Sequence, residues 1–167
     1  MVFTKSELIA SLQNEVRILL HLAGKVEPRM LDYRPTPKQR STLELLRYLS
    51  MMGPTLIRYA MADTSDAAMW MEAAQEADKR DFNQAVAAIA AQSDVYATLL
   101  AGTTDAWLRS EAPGIDGQPT TRGAILVNGV LCGCAAYRTQ LFLYLKACGR
   151  EELGTMDLWA GMDAPAA

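Results

Sequence analysis

Apolar residues recur at three- and four-residue spacing along most of this chain, the period of helices that bury one face. The longest such stretch is Thr121 to Cys148, TRGAILVNGVLCGCAAYRTQLFLYLKAC. As one helix it is a rod of roughly 42 Å. Leu126, Val130, Gly133, Tyr137, Leu141 and Tyr144 form one stripe along it. Ile125, Gly129, Cys132, Ala136 and Leu143, beside that stripe, are also apolar or small. A helix apolar on more than one face is central to its own domain or half covered by a second subunit. We expect a homodimer that buries part of this surface; a monomer with small side chains there is the alternative.

Three further helices precede it. Lys5 to Lys25 carries Leu8, Leu12, Val16, Leu19 and Ala23 on its apolar face. Asn14, Arg17, His21 and Lys25 share the polar one, so His21 is expected as a solvated surface residue. Pro28, Pro35 and Pro37 make Glu27 to Arg40 a connection, because each disfavours helix in the residue before it. Ser41 and Glu44 open the second helix as a capping box. Leu45, Tyr48, Met52, Leu56 and Tyr59 point inward on it, with Arg47, Ser50, Pro54 and Arg58 outward. Gly53-Pro54 is expected to kink it, since proline removes a backbone hydrogen bond. Asp63 to Asp66 is a polar break, and Ala67 to Asp78 reads as a short extra helix. Asp81 or Asn83 starts the third long helix, which reaches about Leu100 with Val86, Ile89, Ala90, Val95, Leu99 and Leu100 as its apolar positions.

Asp105 to Pro119 is irregular, anchored by Trp107 and Leu108, with turn signals at Pro113-Gly114 and Asp116-Gly117. Thr120 or Thr121 caps the long last helix, and Gly149 ends it. No run alternates apolar and polar residues, so no sheet is expected. The pattern is that of an all-α four-helix bundle. We expect one domain over 1–167, ordered from about 4 to 150, with an irregular tail over 151–167 against which Leu158 and Trp159 can pack.

Composition narrows the function. The 167 residues are 50% hydrophobic, enough for a real core. Net charge is −3, from 16 basic and 19 acidic residues without a basic cluster, which argues against nucleic acid and anionic lipid. The uncharged run of the last helix ends at Arg138, short of the ~18 apolar residues of a membrane span. The N-terminus has no signal-peptide core, and three cysteines suit reduced, buried thiols, so a cytoplasmic location is expected. Cys132 and Cys134 cannot clamp one ion while the helix persists, because residues two apart point about 200° away from each other.

Two segments carry a family resemblance. AYRTQLFLYLKACG resembles the end of the last helix in the DinB/YfiT-like superfamily, and DYRPTPKQRSTLELLRYLS resembles that family's proline loop and second helix. The resemblance implies a DinB-like bundle, commonly dimeric, in which many members hold a divalent metal on three histidines. One lies on the second helix and two lie four residues apart on the last, where both rings reach one ion. Carried over, these positions fall on Tyr48, Gly133 and Tyr137, and none is histidine. Arg138 and Gln140 remain beside them. A phenol with a pKa near 10 is a poor ligand at neutral pH, so no metal or other cofactor is expected. The former metal pocket then has two possible fates. Tyr48, Met52, Gly133 and Tyr137 line an open cavity with Arg138 at its edge, or the two phenols fill it, bonded to each other or to Glu44. A non-catalytic bundle binding a small molecule or a partner follows. The alternative is a transferase or hydrolase of the DinB/YfiT type, metal- or thiol-cofactor-dependent, with shifted site chemistry.

Overall fold

The computed structural model describes residues 3–62, 67–114 and 116–163, so the break at Asp63 to Asp66 and the last four residues lie outside it. Helix α1 spans Lys5–Ala23, α2 Thr42–Met61, α3 Ala67–Asp78, α4 Phe82–Leu100 and α5 Asp105–Arg109. The last long helix, 122–147, comprises α6 (Arg122–Ile125), a π-helical segment (Leu126–Leu131) and α7 (Cys132–Ala147). Helix α8, Thr155–Ala160, follows. The four long helices form a ring: α1 packs on α4, α4 on α2, α2 on the last helix, and the last helix on α1. No helix among the described residues is long and apolar enough to cross a membrane.

Capping boxes start three of the four. Thr4 pairs with Glu7, Ser41 with Glu44 and Asp81 with Gln84. Each satisfies amide donors that a helix N-terminus leaves orphaned, and such a cap contributes about 1 kcal/mol. Leu8, Leu12, Val16, Leu19 and Ala23 are buried as their spacing requires.

Helix α2 departs from its expected polarity. Ser50 and Pro54, expected outside, are buried, because α3 and α4 both pack on this helix. Proline 54 has no amide, so the carbonyl of Ser50, one turn back, loses its helical donor. Arg80, in the turn between α3 and α4, aims Nη1 at that carbonyl (3.4 Å) and at the Ser50 hydroxyl. In return Arg47 Nε donates to the Arg80 carbonyl at 2.6 Å. The carbonyl of Leu49 accepts from Gln92 Nε2 at 2.8 Å. Gly53 has a separate reason. A Cβ there would lie 2.0 Å from the Tyr96 hydroxyl and 2.9 Å from its Cζ. Tyr96 is fully buried and donates to Gln92 Oε1 at 2.6 Å.

The core face of α4 is therefore Ala85, Ile89, Gln92, Tyr96 and Leu100, while Ala90 is exposed and Val95 half-buried. Between α5 and the last helix lies a short antiparallel hairpin, β1 (Glu111–Pro113) with β2 (Pro119–Thr121), in register Glu111 to Thr121. Three-residue strands are too short to show an alternating pattern, which is why the sequence hides them. Arg122 ties the hairpin to α2: Nη1 donates to the Glu111 carbonyl (2.8 Å) and Nε to that of Ala60 (3.0 Å).

The C-terminal region also differs from expectation. Helix α8 docks on α1 through His21, whose Nε2 lies 2.8 Å from Asp157 Oδ1. His21 is thus partnered and only 15% exposed at its side chain, not solvated. Leu158 is half-buried, but Trp159 stands in solvent, 70% exposed. Cys134 is buried and Cys132 exposed, so one of the two thiols departs from the expected burial.

Two outcomes follow from these contacts. Gly53→Ala is expected to cost about 1–3 kcal/mol of unfolding free energy by overpacking. The same substitution in a Tyr96→Phe background costs less, because the hydroxyl is the nearest atom; urea titrations of the double-mutant cycle measure the difference. The second concerns acid. Burial opposes ionisation of Asp157, but the Gly154 amide and His21 outweigh it and hold its pKa below the usual carboxylate range. A depressed pKa contributes stability above about pH 4 that is lost as pH falls through the folded-state value. Asp157→Asn should flatten the acid limb of a stability–pH curve, and an unchanged limb excludes this pair as its source.

Candidate functional site

The π-helical segment sets the geometry of the site. A π-turn takes in one extra residue, which shifts the helical phase by about 100°. Beyond it the buried positions are Cys134, Arg138, Leu141, Tyr144 and Leu145. Gly133 and Tyr137, placed in the core stripe by their spacing, are turned off it. They face a cleft of about 610 Å³ between α2, α3 and the last helix. Tyr48 and Met52 line the same cleft, so four of the five sequence-predicted residues come together.

The floor is glycine. A Cβ at Gly133 would lie 3.3 Å from Met52 Cε, and one at Gly129 3.3 Å from Leu56 Cδ1. Leu56 and Tyr59 continue the α2 wall, and Met69, Trp70 and Met71 of α3 form the opposite one. That α3 wall has no signal in the sequence beyond an amphipathic short helix with three large apolar residues in a row. The rings meet edge to face: Tyr48 and Tyr137 at 5.0 Å and 65°, Tyr48 and Trp70 at 6.1 Å and 60°. The two phenols pack on each other as one of the expected alternatives has them, and the cleft is open beside them. Glu44 does not reach the phenols; its carboxylate accepts from the Ser41 amide (2.7 Å) and Arg34 Nη2 (3.1 Å). Burial, with a hydrogen bond that the phenol donates to Tyr137, pushes the Tyr48 pKa well above its ordinary value.

Arg138 is not at the cleft edge. It follows Tyr137 by one residue and so points about 100° around the helix, toward α1, where Nη1 lies 3.3 Å from Glu15 Oε1 in a nearly buried pair. Burial raises the Glu15 carboxyl pKa, with Arg138 opposing. Glu15 Oε2 and Arg138 Nε have no hydrogen-bond partner, so the pair is incompletely satisfied. Cys134 lies on that side too, its thiol pushed up to about 12 by burial, then by Glu15.

Donor chemistry decides what the cleft can hold. Among the described residues its lining carries no imidazole, carboxylate, thiol or amine. Phenols, thioethers and one hydroxyl do not make a divalent-metal ligand set at neutral pH, least of all with the Tyr48 phenol held in its neutral form. The residues present do not fit the three-histidine ion. Elsewhere among the described residues, ligand atoms of His21, Asp157 and Asp163 lie within 4.8 Å of one another. Lys25 already pairs with Asp163 there, and Asp157 caps α8 through the Gly154 amide.

The four-helix ring is the fold of a DinB-like protein of known structure. The structure is similar to the crystal structure of YjoA, a DinB-like protein of Bacillus subtilis, with a TM-score of 0.66 over 88% of this chain and 95% of that one. Sequence identity is 17%, so the likeness is one of fold. No family model matches the chain, and a search of curated proteins finds no match.

Proposed function

We propose that this protein is a non-catalytic DinB-like bundle with a metal-free site, and that the site binds a small, mostly apolar molecule. One observation carries the reading. An open cleft of about 610 Å³, within the size of ordinary ligand sites, has apolar and aromatic walls and, among the described residues, no group that ionises near neutrality. Three thioethers, Met52, Met69 and Met71, give those walls an adaptable surface that fits ligands of differing outline. The Tyr48 and Tyr137 hydroxyls supply the few polar points that orient a guest. A transferase or hydrolase needs a base or nucleophile near the guest; of the thiols flanking Gly133, Cys134 is buried with a raised pKa and Cys132 lines a recess against α1.

Thermal unfolding against a panel of small apolar compounds tests this. A ligand at a hundred times its dissociation constant adds about 2.7 kcal/mol. For a chain of this size that corresponds to a rise of roughly 5–10 °C in Tm. The rise is expected for the native chain and absent in Gly133→Leu, which fills the cleft floor. Melting points unmoved by every compound, or moved equally in Gly133→Leu, overturn the reading.

A further inference from the structure

The cleft opens beside a second recess of about 440 Å³, and Tyr48 and Trp70 belong to both. The two spaces differ sharply in chemistry. The cleft is apolar, whereas the recess is rimmed by Arg40, Arg47, Glu44 and Asp78. Most of that charge is already engaged. Glu44 is held by the Ser41 amide and Arg34, and Arg47 donates Nε to the Arg80 carbonyl. Arg40 differs: among the described residues its guanidinium makes neither a hydrogen bond nor an ion pair, and its carbon lies 4.0 Å from the centroid of the Tyr48 ring. A guanidinium lying on a ring face keeps its in-plane N–H edges free, and those edges match a carboxylate in a two-point contact. Asp78, on the α3 side of the recess, repels an anion, which leaves the Arg40 side for one.

We propose that the ligand is amphipathic: an apolar body in the cleft between α2, α3 and the last helix, and one carboxylate head held by Arg40 above Tyr48. This rests on the cleft being a ligand site and names the class of molecule it takes. A neutral apolar molecule would fill the cleft alone and leave Arg40 unused. A small acid such as acetate would reach Arg40 but bury nothing, so neither half binds tightly without the other.

Matched pairs of probes separate the two ideas. Naphthoate with naphthalenemethanol, and decanoate with decanol, share a body and differ at the head. Titration calorimetry is expected to give each acid an affinity at least about tenfold tighter than its alcohol. In Arg40→Gln that ratio falls to about one while the alcohol affinity stays as it was, which also shows that the variant is folded. A ratio near one in the native chain, or an undiminished ratio in Arg40→Gln, overturns the carboxylate assignment and leaves the apolar cleft standing. Failure of all four compounds to bind overturns the cleft as a ligand site, and the assignment with it.

Discussion

The cleft depends on α2 remaining helical across a buried proline. Helix α2 supplies Tyr48, Met52, Leu56 and Tyr59 from both sides of Pro54, so a break there would misalign the whole wall. A buried carbonyl without a donor costs about 1–3 kcal/mol. The structure meets that cost with Arg80, from the turn between α3 and α4, on the Ser50 carbonyl. Because Arg80 sits between α3 and α4, the contact that repairs α2 also fixes the start of α4 and the end of α3. The two cleft walls are thereby referred to one backbone position.

The opposite side of the last helix is held differently. Arg138 and Glu15 meet where α7 crosses α1, each with one polar atom unsatisfied. Such a pair is weak evidence for stability, since desolvation offsets much of the attraction. It does constrain rotation of the last helix, because turning Arg138 toward the cleft would leave Glu15 buried without its partner. With the π-helical segment just before it, this keeps Gly133 and Tyr137 directed at the cleft. The uncharged cleft side and the charged α1 seam are two faces of one helix.

Much of this was legible in the sequence. Periodicity located the four helices, the Ser41–Glu44 box and the short α3, and the family resemblance brought Tyr48, Met52, Gly133 and Tyr137 to one place. What stayed hidden has physical causes. Spacing rules assume a constant 3.6 residues per turn, so a π-segment moves Gly133 and Tyr137 off the core stripe, although Leu141 and Tyr144 stay buried on it. Arg138 is expected at the cleft only as the neighbour of Tyr137 in the family resemblance, and one residue on a helix turns it about 100° away. Gln92 and Tyr96 are core residues whose polar atoms bond to each other and to a backbone carbonyl of another helix, a pairing no local pattern encodes. His21 was read as solvated because its partner, Asp157, is 136 positions away.

The most direct test of the account asks which methionines sense a guest. With methionine methyl groups isotopically labelled, an apolar ligand should shift the resonances of Met52, Met69 and Met71 and leave Met30, Met156 and Met162 in place. Added zinc should move none of the three cleft methyls. Shifts at Met52 on adding zinc, with none on adding an apolar ligand, would contradict the account and return the site to coordination chemistry.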